Sequence, residues 1–87
     1  MSYVVKIKPT AQKAIKNLPF SLQQRIIEKL KALEYHPHQG AKKLQGFENR
    51  YRIRVGDYRI IYEIHDNRLL VIVLEVGHRS HIYRRKK

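Results

Sequence analysis

The sequence contains no cysteine, which excludes both a disulfide framework and a thiolate metal site. No apolar run is long enough to cross a membrane. Lys6 and Lys8 interrupt the first apolar stretch, so it does not resemble a signal peptide. His36 and His38 have no third ligand at a metal-binding spacing. We therefore expect one domain over residues 1–87 that is cytoplasmic and needs neither metal nor cofactor.

Acidic residues are also scarce. The sequence contains 7 Asp and Glu and 19 Lys and Arg, which give it a net charge of +12. The excess is spread along the chain: residues 1–41 hold seven basic and two acidic residues, and residues 42–87 hold twelve and five. This balance favours a polyanionic partner, nucleic acid first and a strongly acidic protein second. A membrane is not favoured, since neither predicted helix pairs a wide apolar face with a basic one.

A β-hairpin is predicted around Gly56-Asp57, a pair suited to a two-residue turn with positive φ. The turn places residue 55 opposite 58, 54 opposite 59, and 51 opposite 62. One face then carries apolar residues that we assign to the core: Tyr51, Ile53, Val55, Tyr58, Ile60 and Tyr62. The other face, which we call the arginine face, carries Arg50, Arg52, Arg54 and Arg59.

Arg54 lies directly opposite Arg59 in this register, although like charges in that position destabilise a hairpin by roughly 0.2–1 kcal/mol. Such a conflict with local stability marks a candidate functional site, and guanidinium groups bind phosphate oxygens bidentately. We interpret the arginine face as a phosphate-binding surface. Arg50 is an exception, because it faces Glu63 and is expected to form a surface ion pair.

The rest of the chain predicts an α+β fold. Residues 3–8 alternate as a short strand, and apolar stripes on residues 10–18 and 19–36 predict two helices ended by Pro19 and Pro37. So short a connection requires a helical hairpin, which covers a mainly antiparallel sheet of about four strands. Residues 39–49 are predicted to be a loop. Residues 78–87 are predicted to form a short helical turn and a basic tail over residues 83–87.

The register of the last strand, residues 69–77, is open between two alternatives. A two-residue loop places Leu74 opposite Arg59, and a three-residue loop with Asn67 or Arg68 in the left-handed region places Glu75 there. We prefer the second because it pairs a charge. It would turn Leu70, Ile72 and Leu74 towards the core and send Arg79 to the arginine face.

Three segments together resemble the RelE/ParE superfamily of toxins from bacterial toxin–antitoxin systems. They are Lys43-Leu44-Gln45-Gly46, then Tyr51-Arg52-Ile53-Arg54-Val55-Gly56-Asp57-Tyr58-Arg59-Ile60-Ile61-Tyr62, and finally Val76-Gly77-His78-Arg79 with Tyr83. The resemblance covers the whole chain and implies a RelE-like, microbial-ribonuclease-like fold. It also implies one of two activities: cleavage of mRNA in the ribosomal A site without a metal, or poisoning of DNA gyrase.

The resemblance to the RelE branch implies an active site formed by the residues at five positions, which are Arg52, Arg54, Arg59, Arg79 and Tyr83. Some members carry lysine in place of Arg52 and Arg54, and one such lysine is a proposed base. A guanidinium group is a poor proton acceptor near neutral pH. Tyr83, His78 and His81 are therefore the candidates for proton transfer in this chain.

Further basic residues are candidates for RNA binding, and they are Lys6, Lys8, Lys42, Lys43, Arg84 and Arg85. The resemblance implies three partners: a cognate antitoxin with an acidic, amphipathic segment, the mRNA, and the ribosome with its 16S rRNA. Operator DNA would be reached only through the antitoxin.

Three functions are compatible with these residues. The preferred one is a ribosome-dependent endoribonuclease toxin. The alternatives are a ParE-like gyrase inhibitor without nuclease activity and a non-catalytic nucleic-acid-binding module.

Overall fold

A computed structural model describes residues 2–78 of the chain. These residues form two α-helices and five strands: β1 (Val4–Ile7), α1 (Pro9–Lys16), α2 (Phe20–Ala32), β2 (Lys42–Lys43), β3 (Arg50–Val55), β4 (Tyr58–His65) and β5 (Leu70–His78). The sheet order is β1-β5-β4-β3-β2, in which β1 runs parallel to β5 and the other neighbours are antiparallel. The predicted α+β fold is confirmed. Of the helical turn and basic tail predicted over residues 78–87, His78 is instead the last residue of β5, and residues 79–87 lie outside the described part of the chain.

The two helices pack their apolar stripes against one face of the sheet. Pro9 takes the first position of α1, where its fixed φ and missing N–H cost nothing. Helix α2 ends at Ala32, before the predicted end near Pro37, and turns follow it. The helices contribute four buried residues to the core, Ala11, Ile15, Ile26 and Leu30, and Leu33 adds a fifth directly after α2. Within residues 2–78, neither helix has the length and apolar character needed to span a membrane.

The β3–β4 hairpin has the predicted register, with Arg54 opposite Arg59 and Arg50 opposite Glu63. Gly56 has a φ of 60°, a backbone conformation that is unfavourable for residues with a Cβ atom. The predicted core face is buried at Ile53, Val55, Ile60 and Tyr62 and half-buried at Tyr51 and Tyr58. The turn therefore places the four arginines on the face away from the helices.

Both registers considered for the last strand are wrong. The connection is a short 3₁₀ turn (Asp66–Arg68) followed by Leu69 with a φ of 50°, so the left-handed residue is neither Asn67 nor Arg68. His65 pairs with Leu70, and a bulge between Ile61 and Tyr62 shifts the pairing by one residue. Gly77 consequently lies opposite Arg59, and Glu75 lies opposite Ile61. The core residues of β5 are Val71, Val73 and Val76, in place of Leu70, Ile72 and Leu74.

Residues 39–49 are not entirely loop, because Lys42 and Lys43 pair with Arg52 and Tyr51 as the short edge strand β2. The preceding loop is fixed to the core by the hydroxyl of Tyr62, which donates a hydrogen bond to the carbonyl oxygen of Pro37 at 2.9 Å. The loop thus brings β2 alongside β3 and adds a lysine pair to that edge of the sheet.

Candidate nucleic-acid interface

The arginine face is built by strand alternation in the β3–β4 hairpin. Arg52 and Arg54 are on β3, and Arg59 is on β4 directly across from Arg54. Opposed residues of an antiparallel pair have Cα atoms about 4.5–5.5 Å apart, so these two side chains start from adjacent points on the sheet. Their positive charges therefore act on the same point of the arginine face, where an exposed guanidinium group can contact a phosphate directly and a buried one can add its charge.

Arg54 and Arg59 differ in their exposure to solvent. The side chain of Arg54 is exposed, whereas Arg59 is only 4% exposed. On its other side Arg59 faces Gly77 of β5, which has no side chain to occupy this face. Arg59 is therefore a buried cation at the centre of the sheet, and Arg54 is its accessible neighbour.

The two lysines of β2 point to opposite sides of the sheet. Lys42 pairs with Arg52 and lies on the arginine face, whereas Lys43 pairs with Tyr51 and points to the other side. A shallow depression of about 240 Å³ is lined by Gly40, Lys42, Arg52, Ile53 and Arg54. Three cations around one depression suit a polyanion, so the structure adds Lys42 to the arginine face and does not add Lys43.

Helix α2 contributes two cations that were not among the residues predicted from the sequence. Arg25 and Lys29, with Glu28 between them, line a depression of about 400 Å³ together with Arg54 and Gly56. A guanidinium nitrogen of Arg25 lies 3.7 Å from the point where a Cβ atom on Gly56 would stand. The available signal was the spacing of Arg25 and Lys29, which are four residues apart beside the apolar stripe of the helix.

The remaining predicted lysines lie on the opposite edge of the sheet. Lys6 is exposed on β1, where it pairs with Ile72, and Lys8 is exposed just before α1. Strand β5 separates β1 from the β3–β4 hairpin. The structure does not bring these two lysines together with Arg54 and Lys42.

His78 lies at the end of β5, opposite Tyr58, and the two rings are 5.5 Å apart at 83°. Tyr58 belongs to the face of β4 that the helices cover, so the ring of His78 is not beside Arg54. Arg79, His81, Tyr83, Arg84 and Arg85 lie outside the described residues, and their predicted roles remain predictions. Within residues 2–78, no group of three His, Cys, Asp or Glu side chains is placed to hold a metal ion.

Comparison with known proteins identifies the family. The family described as "ParE toxin of type II toxin-antitoxin system, parDE" matches residues 5–83. Toxin RelG of Mycobacterium tuberculosis is 32% identical over 87 residues, which cover 98% of this chain and 100% of that protein. The mRNA interferase toxin RelE of Escherichia coli K12 is 29% identical over 87 residues, covering 95% of this chain and 92% of that protein.

The crystal structure of an archaeal RelE–RelB complex from Pyrococcus horikoshii has the same fold. It superimposes with a TM-score of 0.83 and 34% sequence identity, covering 92% of this chain and 98% of that one. The matched family carries the ParE name, whereas the Escherichia coli relative and the superimposed archaeal structure carry the RelE name, so the likeness extends to both branches. The fold, the arginine-bearing hairpin and these matches agree that the chain belongs to the RelE/ParE superfamily and is a toxin of a type II toxin–antitoxin system.

Proposed function

We propose that the chain is an endoribonuclease that cleaves mRNA in the A site of the ribosome without a metal ion. The observation that carries this proposal is the pairing of Arg54 with Arg59 beside Arg52 and Lys42 on one face of the sheet. A pair of like charges disfavours the hairpin, and a bound phosphate would relieve that repulsion. The related mRNA interferase toxin RelE supports the same assignment.

The proposed reaction is an attack by the RNA's own 2′-hydroxyl. The 2′-oxygen bonds to the adjacent phosphorus, the bond from phosphorus to the 5′-oxygen breaks, and the products are a 2′,3′-cyclic phosphate and a 5′-hydroxyl. One proton leaves the 2′-oxygen and one reaches the departing 5′-oxygen. Arg54 and Arg59 supply positive charge for the phosphorane that forms between these steps.

Proton transfer is assigned by resemblance to residues beyond the described part of the chain. We propose that Arg79 adds a third guanidinium group and that Tyr83 moves a proton, with His81 as the alternative carrier. Arg84 and Arg85 add affinity for the RNA backbone without sequence preference. Of the candidate histidines, His78 receives the least support because its ring packs against Tyr58.

We also propose that a cognate antitoxin controls this activity in the cytoplasm. The related archaeal toxin was crystallised with RelB, and a chain of charge +12 is complementary to an acidic segment. The antitoxin would cover the arginine face or displace Tyr83, and operator DNA would be bound through the antitoxin alone. Purified toxin–antitoxin complex should therefore leave ribosome-bound mRNA intact, and cleavage at the full rate would contradict this proposal.

The experiment that tests the nuclease is brief induction of the chain in cells followed by mapping of mRNA 5′ ends. We expect new ends inside codons of translated messages, and far fewer of them with Arg54→Ala. The control is Arg68→Ala, which removes an exposed arginine from the 3₁₀ turn. The same cuts in untranslated RNA would contradict dependence on the ribosome.

A gyrase inhibitor is the second candidate, and the match to the ParE family over residues 5–83 favours it. Induction would then damage DNA while leaving mRNA ends unchanged, and Arg54→Ala would have no special effect. A non-catalytic nucleic-acid-binding module is the third candidate. It would produce neither cuts in mRNA nor damage to DNA, although it would still bind RNA or DNA.

A further inference from the structure

A second cluster lies on the arginine face, at the end of the β3–β4 hairpin away from the turn. It contains Phe47, Asn49, Arg50, Glu63 and His65, none of which the proposed chemistry uses. Arg50 and Arg54 are four residues apart on β3, a distance of about 13 Å along an extended strand. The cluster therefore lies on the same face as Arg54 but too far away to bind the same phosphate.

An aromatic ring and a guanidinium group form two layers in this cluster. The guanidinium carbon of Arg50 lies 4.2 Å from the centre of the Phe47 ring, in the geometry of a cation–π contact. Phe47 is nevertheless 40% exposed, and the side chain of Arg50 is 33% exposed. Both members of the stack thus remain partly accessible to solvent.

A chain of hydrogen bonds holds Arg50 in place over the ring. Arg50 donates to one oxygen of Glu63 at 3.3 Å, and Nε2 of His65 donates to the other oxygen at 3.0 Å. The Asn49 amide nitrogen lies 3.3 Å from Nδ1 of His65, which accepts its hydrogen bond when Nε2 carries the proton. Both carboxylate oxygens of Glu63 are thereby engaged, and the hydrogen bond to Glu63 together with the Phe47 ring orients the Arg50 guanidinium group.

The charge state of Glu63 agrees with this geometry. Partial burial alone would raise the pKa of the carboxyl group, but the hydrogen bonds from His65 and Arg50 lower it below its ordinary value. Glu63 therefore stays ionised at neutral pH and keeps its hold on Arg50.

We propose that Phe47 and Arg50 form a stacking subsite for one base of the single-stranded RNA that passes over Arg54 and Arg59. Planar guanidinium groups and aromatic rings are the side chains on which unpaired bases stack. Because the subsite lies on the arginine face but away from Arg54, the stacked base would belong to a nucleotide that flanks the scissile phosphate. The subsite rests on the proposed nuclease function and deepens it by naming a contact to the flanking nucleotide.

The test uses a short fluorescent RNA whose 2′-hydroxyls are all methylated, so that it cannot be cleaved by the proposed route. A single abasic site is moved along this RNA, and its affinity for the purified protein is measured at low salt. With the wild type, we expect one abasic position to weaken binding by about 5- to 150-fold, the range expected for the loss of one stacked base. Phe47→Leu, which keeps an apolar side chain and loses the ring, should weaken binding of the intact RNA by a similar factor.

The decisive result is whether the two losses overlap. If the base stacks on this subsite, the abasic RNA and Phe47→Leu together should bind no worse than either change alone. The matched control is Phe20→Leu, since Phe20 is the chain's other phenylalanine and is 73% exposed on α2. Arg50→Lys, which retains the charge without the planar group, should repeat the behaviour of Phe47→Leu.

The proposal would be overturned if the losses of affinity from the abasic site and from Phe47→Leu were fully additive. Equal affinities of Phe47→Leu and Phe20→Leu for the intact RNA would also overturn it. So would a wild-type affinity that stays the same at every abasic position. Cleavage of ribosome-bound mRNA is assayed separately. If the wild type does not cleave but the losses overlap, the nuclease function fails while the stacking subsite stands. If the wild type cleaves and the losses add, only the subsite fails.

Discussion

Arg54 and Arg59 face each other across the hairpin, yet solvent reaches only one of them. Arg54 is exposed, whereas Arg59 is 4% exposed at the centre of the sheet. A buried guanidinium group packs its methylene stem as well as its charge, so it supports the fold and the site together. An exposed guanidinium group is free to serve the site alone.

This difference predicts separate effects for two alanine substitutions. Arg54→Ala should slow single-turnover cleavage of ribosome-bound mRNA by about 100- to 1,000-fold, by analogy with the loss of an oxyanion donor, and leave the free energy of unfolding almost unchanged. Arg59→Ala should slow cleavage and also lower the free energy of unfolding by about 1–3 kcal/mol. Arg68→Ala is the control. A loss of cleavage rate as large as that of Arg54→Ala would mean that the arginines act only through the overall positive charge of the protein.

Tyr62 is a second residue with a defined structural role. Its side chain is completely buried, its hydroxyl donates to the carbonyl oxygen of Pro37, and burial raises the pKa of its phenol. Tyr62→Phe should lower the free energy of unfolding by about 1–3 kcal/mol, because the buried carbonyl group of Pro37 loses its hydrogen-bond donor. Chemical denaturation should detect this loss. Tyr35→Phe, at a residue 61% exposed, should change stability very little, and equal losses in both variants would refute the assignment.

Among the elements, the turn between β4 and β5 joins distant parts of the chain. The hydroxyl of Tyr3 donates to Asp66 at 2.5 Å, and Nε2 of His38 lies 2.9 and 3.0 Å from the two oxygens of the same carboxylate. The N-terminal segment and the loop before β2 therefore meet at one exposed carboxylate. Both hydrogen bonds lower the pKa of Asp66, and the one from Tyr3 has the larger effect.

A lowered pKa in the folded protein gives a stability that depends on pH with a definite sign. The ionised form of Asp66 stabilises the fold above the ordinary carboxyl pKa of about 4, and this contribution disappears as the pH falls through the lower folded value. The free energy of unfolding is measured with urea at pH 7 and near pH 3. We expect its difference between the two pH values to be smaller in Asp66→Asn than in the wild type. Asp57→Asn in the β3–β4 turn controls for the loss of one negative charge, and identical behaviour of both variants would contradict the assignment.

At the scale of the whole molecule, a net charge of +12 attracts any polyanion, and the fold determines which cations act locally. Lys42 and Lys43 are adjacent in sequence and equal in charge, but they point to opposite sides of the sheet. They form a natural pair of test and control for RNA bound on the arginine face.

The salt dependence of RNA binding should separate these two lysines. Lys42→Gln should reduce the slope of log affinity against log salt by about 0.7, the value expected for one contact to a phosphate of a single strand. Lys43→Gln should leave the slope unchanged. Titration of a short single-stranded RNA at several salt concentrations measures both. Equal decreases in slope would show that the RNA does not distinguish the two faces.

Much of the fold was predictable from local chemistry. The alternation of residues 50–62 around Gly56 predicted the β3–β4 hairpin, its register, its core face and the opposition of Arg54 and Arg59. The charge balance predicts a polyanionic partner, and this stays a prediction. These inferences succeeded for the hairpin because a two-residue turn fixes the pairing and because its two faces differ sharply in polarity.

Other features depend on contacts between distant segments. Residues 69–74 are apolar without interruption, so no alternation marked the face that packs on the helices, and the bulge of β5 was not predicted. Lys42 joined the arginine face only because the loop packs beside β3. The stack of Phe47 with Arg50 depends on Glu63 and His65 from the neighbouring strand. A register between strands reflects the packing of both faces at once, and a sequence pattern records that packing only where the two faces differ.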